Sequence, residues 1–185
     1  MQNLQEAKAG LNKMFIAQIG AVVCVLLALI PLVDVLAGLA AWVFVILSLV
    51  GLKQAGKDIE GCKTAFLLTI IDLVVTVLHT FLNAGVFGTI LSLADTILSL
   101  AVIYFVCTSV GETMKQIGAS NEAQLGHTVW IINLVCAAVS VVTSILAVIP
   151  LLNLIAGLAD ILVAIASLVG SVLYIIFLYR SSAAI

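Results

Sequence analysis

Three aspartates and one histidine lie deep inside long apolar segments of this sequence, where charged groups are rare. They are Asp72, His79, Asp95 and Asp160. An ionised carboxylate in hydrocarbon costs several kcal/mol, so such a group must face a protein interior, be protonated or be paired. Because an intramembrane acid can exchange protons or bind a cation, these four residues are candidates for a ligand or ion pathway. A fourth aspartate, Asp34, lies nearer the membrane interface, three residues after Pro31.

The composition is that of an integral membrane protein. Of the 185 residues, 64% are hydrophobic and 9% are charged, whereas roughly 25% of the residues in a soluble domain are charged. The expected surroundings are therefore a lipid bilayer. The formal net charge of −2 provides no basic surface for nucleic acid, so we expect no nucleic-acid partner.

Three apolar stretches cover residues 15–52, 64–110 and 128–179. As a single helix, even the shortest would reach about 57 Å, nearly twice the ~30 Å hydrocarbon core. Each stretch must turn back once, at Pro31, Gly85 and Pro150, residues that end or interrupt helices. The sequence predicts an all-α integral membrane protein with six transmembrane helices, arranged as three repeated helical hairpins over about residues 12–55, 64–112 and 125–180. The hairpins form a single transmembrane domain, whose first helix is expected to run from Phe15 to Ile30.

An internal repeat supports this division. Residues 28–51 align without gaps on residues 147–170, and both segments carry the same proline, AGLA and SLVG. The middle hairpin matches more weakly, through SLAD at 92–95 and GLAD at 157–160. We interpret the three hairpins as copies of one unit. Since the first apolar segment has a counterpart at 128–149, we expect it to be retained and not removed as a signal peptide.

The basic residues predict the orientation in the membrane. All seven lysines and arginines fall on one side of the six-helix arrangement: Lys8, Lys13, Lys53, Lys57, Lys63, Lys115 and Arg180. Basic residues concentrate in cytoplasmic loops. We therefore expect a multi-pass protein of the plasma membrane, by default a bacterial one, with both termini in the cytoplasm.

Small and polar residues recur three and four positions apart, which places them along one face of each helix. Helices in a bilayer associate through small residues that permit close approach and through interhelical hydrogen bonds. We interpret this face as the helix-packing seam. Its marker residues are Gly38, Ser92, Ser99, Gly157 and Ser167.

Two functions are compatible with the intramembrane acids. In the first, they line a hydrated path and the protein is a small proton- or cation-coupled transporter or channel. In the second, they are protonated and hydrogen-bonded internally, and the protein is a scaffold or accessory subunit that binds a membrane protein or forms a homo-oligomer. No broken-helix site or selectivity motif is visible, and this favours the scaffold at the level of sequence.

Enzymatic chemistry is not expected. The sequence contains no HExxH, GxSxG or P-loop, the motifs that supply zinc, a serine nucleophile or a phosphate cradle. The four cysteines, Cys24, Cys62, Cys107 and Cys136, show no metal-ligand spacing and are interpreted as reduced core residues. We therefore predict no cofactor and no metal site.

Overall fold

The computed structural model describes residues 4–28, 30, 33–82, 85–146 and 153–185; within them, side chains are not described at positions 34, 85, 86, 89, 144–146 and 153–160. Six α-helices make up this part of the chain, and each has a stretch long and apolar enough to cross a membrane. They are α1 Gln5–Leu27, α2 Asp34–Ala55, α3 Glu60–Phe81, α4 Gly85–Gln116, α5 Ser120–Leu146 and α6 Asn153–Ala184. The predicted six-helix, all-α membrane architecture is confirmed.

The helices form a closed ring. Each helix contacts the next in chain order, and α1 contacts α6. The α1–α2 and α3–α4 contacts are the most extensive, while the α4–α5 contact is as extensive as the α5–α6 contact. The contacts therefore do not separate three hairpins from one another, and the repeat of one hairpin unit stays a prediction.

Large apolar side chains cover the outside of the ring. Val35 and Leu36 on α2, Phe81 on α3 and Leu162 on α6 are among the most exposed. In water such a surface would drive aggregation, whereas lipid tails are as apolar as leucine. The outer surface therefore suits a bilayer.

Polar contacts join the chain at one end of the ring, which we call the charged-loop end. The Asp58 carboxylate, between α2 and α3, accepts a 2.8 Å hydrogen bond from the backbone N–H of Ala7. Leu4, at the N-cap position of α1, makes no side-chain capping bond, so Asp58 supplies the cap from another part of the chain. Lys57 pairs with Glu6 at 3.1 Å.

The buried core also lies towards the charged-loop end. Leu11, Leu52, Val110, Met114 and Phe177 are fully buried there. The ring is therefore tightly packed at this end. The opposite end, which holds the last residues of α1, α3 and α5 and the first residues of α2, α4 and α6, is called the turn end.

The close approach of α1 to α2 depends on two glycines, Gly10 on α1 and Gly51 on α2. A Cβ added at Gly10 would lie 2.4 Å from the backbone nitrogen of Ala55 and 2.6 Å from the carbonyl oxygen of Gly51. Such distances leave no room for a side chain. This contact is of the small-residue kind that brings helix backbones together in membranes.

The predicted first helix was wrong at both ends. The structure begins α1 at Gln5 and ends it at Leu27, whereas hydropathy placed the helix between Phe15 and Ile30. The segment QEAKAGLNK is too polar to belong to an apolar run, yet it is rich in good helix formers and is capped by Asp58. Hydropathy locates the apolar span and not the ends of the helix that contains it.

Candidate functional site: a polar cavity inside the helix ring

A cavity of about 210 Å³ lies inside the ring, and we call it the central cavity. All six helices contribute a polar side chain to its lining. These side chains are Gln18, Ser48, Thr69, Asp72, Ser99, Asn133, Ser171 and Tyr174. The volume is sufficient for several water molecules, each of which occupies about 30 Å³ in the liquid. A polar interior inside an apolar exterior suits a cavity that holds water or a polar ligand.

Asp72 supplies the only carboxylate among the residues that line this cavity. Its Oδ2 accepts a hydrogen bond of 2.9 Å from the Ser99 hydroxyl across the α3–α4 contact. Its Oδ1 is buried and has no hydrogen-bond partner in the described part of the chain. A buried acceptor without a partner costs about 1–3 kcal/mol, and more when it is charged. A cation or water in the cavity would satisfy this oxygen.

The neutral polar groups around Asp72 present oxygens to the cavity. The hydroxyls of Thr69 and Ser171 and the amide nitrogen of Asn133 each donate a hydrogen bond to the carbonyl four residues earlier in their own helix, at 2.8, 2.9 and 2.8 Å. Each hydroxyl thus uses its single hydrogen on its own backbone. The remaining lone pairs of these oxygens make the lining rich in hydrogen-bond acceptors. Such a lining suits a cation better than an anion.

A second cavity, of about 290 Å³, opens between α4, α5 and α6 on the turn-end side of the first, and we call it the side cleft. The two cavities share Ser99, Ile103 and Asn133. Asp95 lines the side cleft, and its Oδ1 accepts a hydrogen bond of 2.7 Å from the Thr76 hydroxyl. The side cleft therefore adjoins the central cavity and brings a second carboxylate to it.

No basic side chain lies among the residues that line the central cavity or the side cleft. Instead, basic residues pair with partners at the charged-loop end: Lys57 with Glu6, and Arg180 with Glu122 at 2.7 Å. In surroundings of low dielectric, the potential of the two cavities is therefore set by their carboxylates.

The structure brings Asp72 and Asp95 into adjoining cavities, whereas His79 is half-buried on α3 and lines neither of the two. The backbone of α6 includes Asp160, but its side chain lies outside the described residues. The assignment of Asp72, Asp95, Asp160 and His79 to an ion pathway stays a prediction.

The five residues of the predicted packing seam lie in different surroundings. Ser99 lines both cavities and Ser167 lines the side cleft. Ser92 is exposed on α4, and a Cβ added at Gly38 would meet no atom within 4 Å. The surroundings of Gly157 lie outside the described residues. Their role in helix packing stays a prediction.

Sequence reasoning did not identify Gln18, Ser48, Asn133 or Ser171 as candidate site residues. The missed signal was an amide in the middle of the apolar run FIAQIGAVV. A primary amide in a membrane span needs a polar partner or water. The sequence could not show that these side chains from four helices meet the Asp72 carboxylate in one cavity.

Comparison with known proteins finds no matching family model, no similar curated protein and no similar solved structure.

Proposed function

We propose that this polytopic membrane protein binds a small monovalent cation in its central cavity and passes it across the bilayer, as a transporter or channel. The observation that carries the proposal is the free Oδ1 of Asp72, buried in a cavity to which every helix contributes a polar side chain. The coarser conclusion, a multi-pass membrane protein, follows from the six apolar helices.

The chemistry of the lining supports a cation of low charge. The central cavity combines one carboxylate, Asp72, with hydroxyl and amide groups. Neutral oxygens and a carboxylate replace the hydration shell of an alkali cation or an ammonium ion. Calcium usually takes 6–8 oxygen ligands, including several carboxylates, and a single carboxylate is a poor match for it.

The packing of the ring supports transport over static binding. The side cleft lies on the turn-end side of the central cavity, whereas Met14, Leu52 and Tyr174 line the charged-loop side of the central cavity. Leu52 is 1% and Met14 3% exposed, so these two side chains are tightly packed. A central polar site with a second cavity on one side and tight packing on the other is compatible with alternating access.

The proposed orientation places the charged-loop end in the cytoplasm of a bacterial cell and the turn end outside the plasma membrane. It rests on the positive-inside rule and on the seven basic residues. With this orientation, the side cleft faces the outer compartment. Reporter fusions at the two termini would test it, since a cytoplasmic reporter should be active at both.

The test of function is flux in proteoliposomes. Purified protein is reconstituted, and uptake of thallium as a potassium surrogate, of sodium and of protons is followed with separate dyes for wild type, Asp72→Asn and Glu60→Gln. The carboxyl-to-amide change at Glu60 is a matched control because Glu60 is exposed at the start of α3 and lines neither cavity.

We expect cation flux through the wild type and the Glu60→Gln variant, and a loss of at least tenfold with Asp72→Asn. Size-exclusion chromatography and thermal unfolding first establish that each variant is folded. Absence of flux in the wild type, or full flux in folded Asp72→Asn, would contradict the proposal.

A scaffold or accessory subunit is the second candidate function. The observation that favours it is the open space around Gly38 on α2, since a small residue facing lipid permits close approach of a helix from another protein or from a second copy. This function does not need Asp72. A Gly38→Leu change that disrupts an oligomer or a complex, together with an Asp72→Asn variant that behaves as wild type, would support it.

A further inference from the structure

We infer that the side cleft is a water-filled entrance in which Asp95 holds a cation before it passes Ser99 and reaches Asp72. The inference rests on the proposed function and deepens it, because it assigns a second binding site and a direction of access. The observations that carry it are the adjoining cavities, the anchored Asp95 carboxylate and the shared Ser99.

Asp95 is held in place at the cleft. The Thr76 hydroxyl of the neighbouring helix lies 2.7 Å from Asp95 Oδ1 and 3.0 Å from the backbone carbonyl oxygen of Asp72. The carboxylate is thus fixed from the α3 side while it lines a cleft formed by α4, α5 and α6. A carboxylate fixed in this way requires little reorganisation to bind a cation.

Ser99 connects the two carboxylates. It lies four residues after Asp95, so both side chains are on the same face of α4, about 6 Å apart along the helix axis. Its hydroxyl donates to Asp72 Oδ2 at 2.9 Å, and it lines both cavities. A cation that leaves Asp95 therefore meets the oxygens of Ser99 and Asn133 before it reaches Asp72.

The rest of the cleft is compatible with water and with positive charge. The Thr96 hydroxyl donates to the backbone carbonyl of Ser92 at 2.9 Å, which leaves its oxygen to accept. Ser140 and Ser167 add hydroxyl groups to the lining. The negative potential of Asp95 in a cleft enclosed by protein of low dielectric should concentrate small cations there.

A native cysteine provides the test. Cys136 lines the side cleft and is 9% exposed, whereas Cys62 is fully buried and lines neither cavity. Two proteins, each with a single cysteine, are made by replacing the other three cysteines with alanine. In permeabilised proteoliposomes, the rate of modification is measured with a cationic and an anionic methanethiosulfonate of similar size.

We expect Cys136 to react with both reagents and about tenfold faster with the cationic one, a ratio at the lower end of electrostatic focusing. Asp95→Asn should reduce this ratio towards one, and Asp95→Glu should retain it. Asp72→Asn should reduce it less, because Asp72 lines the central cavity and not the side cleft. Cys62 should remain unmodified until the protein is denatured.

Two results would overturn the inference. One is a Cys136 thiol that resists both reagents in folded protein but reacts fully after denaturation, because this would show a dry cleft. The other is a charge preference that folded Asp95→Asn leaves unchanged. Either can occur while Asp72→Asn still abolishes flux, so failure of the entrance site is distinguishable from failure of the proposed function.

Discussion

Ser99 donates a hydrogen bond of 2.9 Å to Oδ2 of Asp72 across the contact between α3 and α4, and Oδ1 of the same carboxylate is buried without a partner. The serine therefore fixes the orientation of the carboxylate while the second oxygen stays open to the central cavity. Positioning of this kind predicts that Ser99 influences cation affinity through Asp72.

Replacement of Ser99 by alanine should raise the cation concentration for half-maximal flux at least tenfold, since loss of one hydrogen bond to a charged group costs about 1.5–3 kcal/mol and a tenfold change corresponds to about 1.4 kcal/mol. The measurement is the concentration dependence of flux in proteoliposomes. Ser92→Ala is the matched control, since Ser92 is exposed on the same helix. If the cation concentration for half-maximal flux is the same in the wild type and in Ser99→Ala, Ser99 does not contribute to the cation site.

Substitution by alanine should affect the melting temperature differently at Gly10 and at Gly38. Alanine is favoured over glycine in a helix by about 1 kcal/mol, so Gly38→Ala should leave the melting temperature unchanged or raise it. Gly10→Ala should lower it, because a Cβ there would lie 2.4 Å from the backbone of Ala55, and overpacking costs typically 1–3 kcal/mol.

The measurement is thermal unfolding of both variants in the same detergent, monitored by a thiol-reactive or intrinsic fluorescence signal. A stabilised Gly10→Ala variant would contradict the close approach of α1 and α2. A destabilised Gly38→Ala variant would contradict the open space around Gly38.

Asp58 should stabilise the start of α1. Asp58→Ala removes the acceptor for the Ala7 N–H, and loss of a helix cap costs about 0.5–2 kcal/mol. Asp58→Asn retains an acceptor of similar capping strength and should restore most of the stability. Hydrogen exchange of the first turn of α1 should be faster in the alanine variant and near wild type in the asparagine variant; equal exchange in all three would argue against the cap.

The sequence was sufficient to predict that six helices span the membrane, because composition, span length and the placement of Pro31, Gly85 and Pro150 constrain the chain independently. It also singled out Asp72 and Asp95 by the cost of a carboxylate in hydrocarbon. Neither argument depends on contacts between distant parts of the chain.

The cavity could not be predicted, because it depends on which helices become neighbours. Gln18, Asn133 and Ser171 are on α1, α5 and α6, and only closure of the ring through the α1–α6 contact places them around Asp72. The start of α1 was missed for a similar reason, since its cap, Asp58, lies far away in sequence.

The most direct test of the central claim, that a small cation binds at Asp72, is the melting temperature of the purified protein in sodium, potassium, ammonium or choline chloride at equal ionic strength. A ligand at 100 times its Kd stabilises the folded state by about 2.7 kcal/mol. The account predicts that at least one small cation raises the melting temperature of the wild type by several degrees relative to choline, and that Asp72→Asn loses this increase. Identical melting temperatures of the wild type in all four salts, or the same increase in folded Asp72→Asn, would contradict it.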